Sequence, residues 1–340
     1  MSLRWGVIGT GGIAAAFTED LALTGSGEVV AVGSRTAAAA DRFADALGVP
    51  RRHASYEALV ADPEVDAVYV ATPHPMHHAA ALPALRAGKP ALVEKPFTMT
   101  AAEARELVET ARAGGVFLME AMWTRFLPHV QAIRELLARE ALGRIVTVIA
   151  DHGQWFAEDA RHRLFAPELG GGALLDLGIY PVSFASLVLG PPDRVIALAE
   201  RAFTGVDAQT SIVLGHPGGA HALINCTLAA KSPTTAAIVG TEGRIEIEHR
   251  FYGPAAFTHH PREGQPRRHE FPHQGRGLRH QADEVARCLE NGETESPLLP
   301  LAETVSIMET MDAIARAAAN GYQGEDFVSR GVDPAGRRRG

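Results

Sequence analysis

No stretch of this chain reaches about 18 consecutive uncharged apolar residues, which argues against a membrane-spanning helix. Cysteine is scarce. Cys226 and Cys288 are the only two, no C-x-x-C occurs, and both fall in element-like stretches. That disfavours a disulfide framework and a thiolate metal site and reads as two reduced structural thiols. Only Met1-Ser2-Leu3-Arg4 precedes the first strand, too little for a secretory signal, so the expected compartment is the cytoplasm. A basic footprint for nucleic acid is missing, because the net charge is −8 and the pI is about 6.0. The one dense basic run, Arg337-Arg338-Arg339, reads as a solvated tail. No internal repeat occurs. His249, His259, His260, His269, His273 and His280 cluster in a Pro/Arg-rich region without tight ligand spacing, so we read a polar surface loop there and expect no metal.

What is present is an alternation of short apolar strands and helices. The 340 residues allow about two domains, and 46% apolar content supplies a large core. Strands are expected at 4–9, 29–32, 67–71, 91–94 and 116–120. Helices are expected at 12–24, 36–47, 56–60, 77–87 and 101–113. Continuous apolar strands alternating with helices imply a parallel sheet covered on both faces, a doubly wound α/β domain over residues 1–121. A helix over 127–140 follows, then a strand at 145–149 and a helix near 173–189. Strand-like runs at 194–203, 209–215, 220–229, 234–240 and 244–249 are joined by short turns, which force antiparallel pairing. The second unit, 122–330, is therefore an α+β domain with a large, mostly antiparallel open sheet. Residues 253–277 read as a loop, and helices near 277–291 and 301–319 close the chain, the last expected to pack back on the first domain. The open face of the second sheet needs a cover, and a partner subunit is one.

Gly9-Thr10-Gly11-Gly12-Ile13-Ala14 fits G-x-G-x-x-A between a buried strand and a helix. Gly9 permits the tight turn, Gly11 lets a diphosphate approach the backbone, and the helix start faces its charge. As a bare string the match is weak; its context makes it a dinucleotide cradle. At the end of the second strand stands Ser34-Arg35-Thr36 rather than a carboxylate. Arg35 can grip a 2′-phosphate, so NADP is favoured over NAD; the bland alternative is a solvated arginine.

The remaining chemistry gathers at strand ends. Thr72, Pro73 and His77, with His74, follow the third long strand, and Glu94-Lys95-Pro96 ends the fourth. A lysine at a sheltered strand end has a reason in proton transfer to or from a substrate hydroxyl beside a nicotinamide. A cis bond before Pro96 would aim it inward. Within Gly170-Gly171-Gly172-Ala173-Leu174-Leu175-Asp176-Leu177-Gly178-Ile179-Tyr180 the glycines allow close backbone approach. Asp176 and Tyr180, four apart, share a helix face. Beside Lys95 they would form a proton-handling set, with the ammonium lowering the tyrosine pKa. The alternative is a capping Asp and a packing Tyr. Trp123 and Arg125 are weaker candidates for lining the substrate pocket, as are His152 and Phe156 at the exit of a second-domain strand.

In combination and order, the Gly9 fingerprint, Glu94-Lys95-Pro96, Glu120-Ala121-Met122-Trp123-Thr124-Arg125-Phe126 and the Gly171-to-Tyr180 stretch resemble the glucose–fructose oxidoreductase/inositol dehydrogenase (Gfo/Idh/MocA) family over about residues 1–320. The chain looks most like its dihydrodiol dehydrogenase and NADP-dependent xylose dehydrogenase branch. The resemblance implies a Rossmann domain and an α/β domain whose open sheet makes a homodimer, or a tetramer. It implies Lys95 as catalytic lysine, Asp176 as the acid orienting substrate and Tyr180 as general acid/base. Many inositol dehydrogenase-like members carry histidine at the Tyr180 position, which argues against that branch. The expected activity is NADP-dependent hydride transfer at a hydroxyl-bearing carbon of a sugar, polyol or trans-dihydrodiol. The rivals are a non-catalytic NADP-binding sensor or scaffold, and a sugar–sugar oxidoreductase that retains its cofactor.

Overall fold

The computed structural model describes residues 2–320; the expected end of the second unit at 330 and the 337–339 arginine run lie outside them. Strands β1 (Leu3–Ile8), β2 (Gly27–Gly33), β3 (Arg51–His53), β4 (Ala67–Val70), β5 (Ala91–Glu94) and β6 (Leu118–Ala121) form one sheet in the order β3-β2-β1-β4-β5-β6. All its neighbours run parallel. Helices α1 (Gly12–Leu21), α2 (Ala37–Leu47), α3 (Tyr56–Val60), α4 (His77–Arg86) and α5 (Ala101–Gly114) are the connections. A sheet covered on both faces needs strands that are apolar throughout, and Ala-Val-Tyr-Val of β4 is wholly buried. The strand order reverses beside β1, so the carboxyl ends of β1 and β4 open onto a crevice.

Thr36, Ser55 and Thr100 cap α2, α3 and α5 by accepting the N–H groups of Ala39, Ala58 and Glu103. Helix α1, by contrast, has Gly11 at its N-cap and so no side-chain cap. Its first amides, at the mouth of the crevice, keep their hydrogen-bonding capacity.

The second sheet holds β7 (Ile145–Gly153), β8 (Arg194–Arg201), β9 (Asp207–Gly215), β10 (His221–Thr227), β11 (Ala236–Gly240), β12 (Gly243–Ile247), β13 (Phe257–Pro261) and β14 (Arg267–His269). Its order is β14-β13-β12-β11-β7-β10-β9-β8, and every neighbouring pair is antiparallel except β7 with β10. Helices α6 (Pro128–Ala138), α7 (Ile179–Leu189), α8 (Arg279–Glu290) and α9 (Leu301–Asn320) complete the described chain. Helix α7 lies under β7 and β10; α9 contacts α7 and β8 and also α5 of the first unit. Residues alternate across the sheet: Val148, Ala150, Ile212, Leu214, Ala222 and Ile224 face this helix layer. On the other face Ile196, Val213, Leu223 and Ile149 stand side by side in register, and all four are exposed.

Two expectations change. Residues 253–277 are not all loop, since β13 and β14 add two strands to the sheet. There Phe257 is buried against the ring of His269, with centroids 4.5 Å apart. Strand β3, Arg-Arg-His, also escaped the pattern. Short polar edge strands pair through backbone, so their side chains carry no apolar period. Pro167–Leu189 reaches membrane-spanning length and holds an 18-residue stretch with a mean hydropathy of 1.6, but 72% of that stretch is buried in the protein and it carries Asp176.

Candidate active site

A cavity of about 740 Å³ runs from the β1 turn to the second sheet. Its first end is made of backbone. Gly9 has φ +110°, and a Cβ there would lie 2.6 Å from the carbonyl oxygen of Ala71, so only glycine fits the turn. A Cβ on Gly11 or Gly12 would meet nothing within 4 Å. Thr10, Ile13, Ser34, Arg35 and Tyr56 continue the wall. The Thr72 hydroxyl lines the cavity, is buried, and has no partner among the described residues. Open glycines, uncapped amides and an unsatisfied hydroxyl fit a dinucleotide, with Arg35 at the far end. Pro73 follows on the same wall. His77 is fully buried, its Nδ1 2.8 Å from the Pro96 carbonyl and its Nε2 2.9 Å from that of Thr72. It ties two loops together beneath the cavity.

The other end is made of charge. The Lys95–Pro96 bond is cis. Lys95 Nζ donates to the Asp176 carbonyl at 2.9 Å and to Asp176 Oδ1 at 3.1 Å, and lies 4.7 Å from the centre of the Tyr180 ring. Burial alone would lower the ammonium; the Asp176 carboxylate, with Tyr180 and Glu94, outweighs it and holds Lys95 above its ordinary value. Asp176 is opposed by burial too, yet Lys95 and Arg163 keep it ionised, far below the usual carboxylate range. His74 Nε2 stands 3.7 Å from Asp176 Oδ1 and is pushed down to about 3 by burial and then by Lys95, so it is neutral. Glu94 accepts from the Tyr69 hydroxyl and from the Lys95 amide. Burial raises it to about 7 against both bonds.

Tyr180 closes the set from the start of α7, directly after a π-turn over Leu174–Gly178 that carries Asp176. Such turns are frequent at functional sites. Its hydroxyl accepts from Trp123 Nε1 at 3.1 Å, and its ring packs 4.7 Å from Tyr252 and 5.4 Å from His152. This aromatic wall corrects one expectation: burial lifts the Tyr180 phenol to about 12, and Lys95 only partly opposes it. His152 stacks on Tyr252 at 4.3 Å, and burial takes it down to about 4. Phe156 lines the same end.

Arg125 does not line the pocket. It is 1% exposed and bonds Ser183 and Glu303, because the 3₁₀ turn Trp123–Phe126 swings it into the interior. Trp123 stands behind Tyr180 rather than in the cavity wall. The glycines before the π-turn also have another purpose: a Cβ on Gly171 would lie 2.7–3.0 Å from the carbonyls of Leu164, Ala166 and Arg163, so they admit a neighbouring loop. Gln154, Tyr56, Arg163, Leu177 and Tyr252 line the cavity without having been expected there.

A model of an oxidoreductase family with an NAD-binding Rossmann fold matches residues 3–122, and that family's C-terminal domain matches 130–246. The chain belongs to the GFO/IDH/MocA family. Among its GFO/IDH/MocA relatives, trans-1,2-dihydrobenzene-1,2-diol dehydrogenase of Bos taurus is 37% identical over 327 residues, covering 93% of this chain and 97% of that protein. The Mus musculus enzyme of the same name is 38% identical over 333 residues, with the same coverage. Of solved structures, aldose-aldose oxidoreductase from Caulobacter crescentus, complexed with glycerol, matches with a TM-score of 0.86 at 26% identity, covering 94% of this chain and 98% of that one. KijD10, a 3-ketoreductase from Actinomadura kijaniata in complex with NADP and TDP-benzene, matches with a TM-score of 0.81 at 26% identity, covering 93% and 98%. The chain is an oxidoreductase of this Rossmann family.

Proposed function

We propose that this protein is an NADP-preferring dehydrogenase acting on a CH–OH group of a sugar, polyol or trans-dihydrodiol. The observation that carries the reading is the meeting of Lys95, Asp176 and Tyr180 on one cavity wall, opposite the glycine turn. A bound nicotinamide would supply the hydride acceptor or donor. Gly9, Thr10, Gly11, Gly12 and Ile13 would hold the diphosphate, Thr72, Pro73 and Glu94 the nicotinamide side, and Ser34 and Arg35 the adenosine side. Asp176 would orient the substrate hydroxyls, and His152 and Phe156 would border the substrate. In reduction, the neutral Tyr180 phenol gives its proton to the carbonyl oxygen. In oxidation Tyr180 would act as the phenolate, its own proton having gone to solvent, and take the proton of the substrate hydroxyl; the Lys95 ammonium against its ring favours that form.

Arg35 supports NADP, since no carboxylate stands beside it to repel a 2′-phosphate. The similarity to the diol dehydrogenases supports the substrate class. We divide the chain at 121/122 into a cofactor unit and a substrate unit. The two buried free thiols fit a reducing cytoplasm.

Purified protein is offered NADP or NAD with aldoses, inositols and trans-dihydrodiols, and nicotinamide absorbance is followed. NADP reduction with one class supports the reading. Tight NADP binding with no turnover on the whole panel would replace it with a sensor role. We further assign the apolar row Ile196–Val213–Leu223–Ile149 to a homodimer interface. Light scattering should give a dimer for the native chain and a monomer for Ile149→Asp.

A further inference from the structure

Arg163 belongs to no strand or helix. It lies in the 154–172 segment between the end of β7 and the π-turn. That segment is tied down at both ends. The Gln154 and Phe156 amides donate to Thr227 and Leu228, and the Gly171 and Gly172 amides donate back to Ala166 and Leu164. Leu164 and Phe165 are buried with Leu177, Cys226 and Leu228 in a small apolar cluster of their own. The backbone at 163 is therefore fixed although its side chain is 54% exposed.

Three consecutive glycines make this closure. Gly170 and Gly172 have φ +69° and +120°, and Gly171 has three carbonyls where a Cβ would stand. The closure delivers one contact of chemical interest. Arg163 Nη1 donates to Asp176 Oδ1 at 3.0 Å and Nη2 to Oδ2 at 3.1 Å. A half-exposed arginine adds little stability by such a pair. Its geometry matters more: the planar fork fixes the plane of a carboxylate that a single donor would leave free to turn. Oδ1 of that carboxylate is also the oxygen that Lys95 uses.

We propose that Arg163 is a positioning residue for the reaction: its guanidinium sets the Asp176 carboxylate so that one oxygen faces the Lys95 ammonium. Lys95 follows β5 and Asp176 sits on the π-turn; the Asp176 backbone carbonyl holds the ammonium by one bond, and the ion pair proper depends on the carboxylate's orientation. The proposal rests on the dehydrogenase reading for its kinetic consequence but not for its structural one.

The chain has three lysines, Lys89, Lys95 and Lys231. In protein carrying ¹⁵N at the lysine side chains, the Lys95 ammonium resonance is identified by its loss in Lys95→Met. We expect it to shift in Arg163→Met and to return part of the way in Arg163→Lys, which restores charge without the fork. Gly171→Ala, whose Cβ would strike the carbonyls of Arg163, Leu164 and Ala166 and so disturb the closure that holds Arg163, should shift it too. With an active substrate, kcat for Arg163→Met should fall about 10- to 100-fold, with KM and cofactor Kd within about threefold. A Lys95 resonance that stays in place in Arg163→Met overturns the proposal. If Arg163→Met does not fold, the Arg163→Lys resonance decides in its stead: one identical to wild type overturns the proposal. Should the native protein oxidise no alcohol, the dehydrogenase reading fails while the resonance still decides the role of Arg163.

Discussion

At one end of the cavity Gly9, Gly11 and Gly12 present bare backbone; at the other, Lys95, Asp176, Arg163 and Tyr180 present charges and a phenol. The first end is built by what is missing, a Cβ that would strike Ala71 or fill open space. The second is built by what is paired, since each buried ion there has an opposite one in reach. Removing one partner from such a set leaves the other uncompensated, which costs far more than the pair contributes. Damage to the glycine end should therefore appear in cofactor affinity, and damage to the charged end in turnover.

The sharpest break of that division is Lys95→Met. We expect kcat/KM to fall about 10³-fold or more while NADP still binds within a few-fold, as followed by quenching of protein fluorescence. Undiminished turnover would remove Lys95 from the chemistry. Gly9→Ala should do the reverse, because its backbone strain is worth about 2 kcal/mol, or about 30-fold. The loss should fall on cofactor Kd and on the denaturation midpoint, and an unaltered Kd would mean the turn is not the cradle. Arg35→Ala should leave NAD binding alone and weaken NADP about 10- to 100-fold, the worth of a charge-assisted contact. Equal losses for both cofactors would show Arg35 to be blind to the 2′-phosphate. The last test changes no residue and concerns pH. A phenol held near 12 is protonated at neutral pH, so its ionised fraction rises up to tenfold per unit as pH climbs toward that value. Alcohol oxidation should accelerate from pH 7 to 9 and carbonyl reduction should not; a flat oxidation profile would exonerate Tyr180.

The same contrast explains what could be read in advance. The glycine turn is contiguous and its constraints are steric, so Gly9 to Ile13 announce themselves in the chain. Lys95 stood out because a buried strand end is an expensive place for an ammonium. The parallel order of the first sheet followed from its uninterrupted apolar strands. Arg163, Gln154 and Tyr252 reach the cavity only by tertiary closure, and nothing in their neighbourhoods carries that information. Arg125 and Trp123 were misplaced because proximity to β6 does not fix which way a 3₁₀ turn points its side chains. The tyrosine pKa went the wrong way for a related reason: the nearby lysine was visible, whereas the stack of Trp123, His152 and Tyr252 that dries the phenol was not.

Arg125 has a mechanical consequence. It sits just past β6, where the chain leaves the first sheet, and grips Ser183 on α7 and Glu303 on α9. All three residues lie past the 121/122 division, so the guanidinium pins the first turn of the substrate unit to that unit's own helix layer. That grip also holds Trp123, two residues earlier, where its indole N–H reaches the Tyr180 hydroxyl, so a residue outside the cavity aims one inside it.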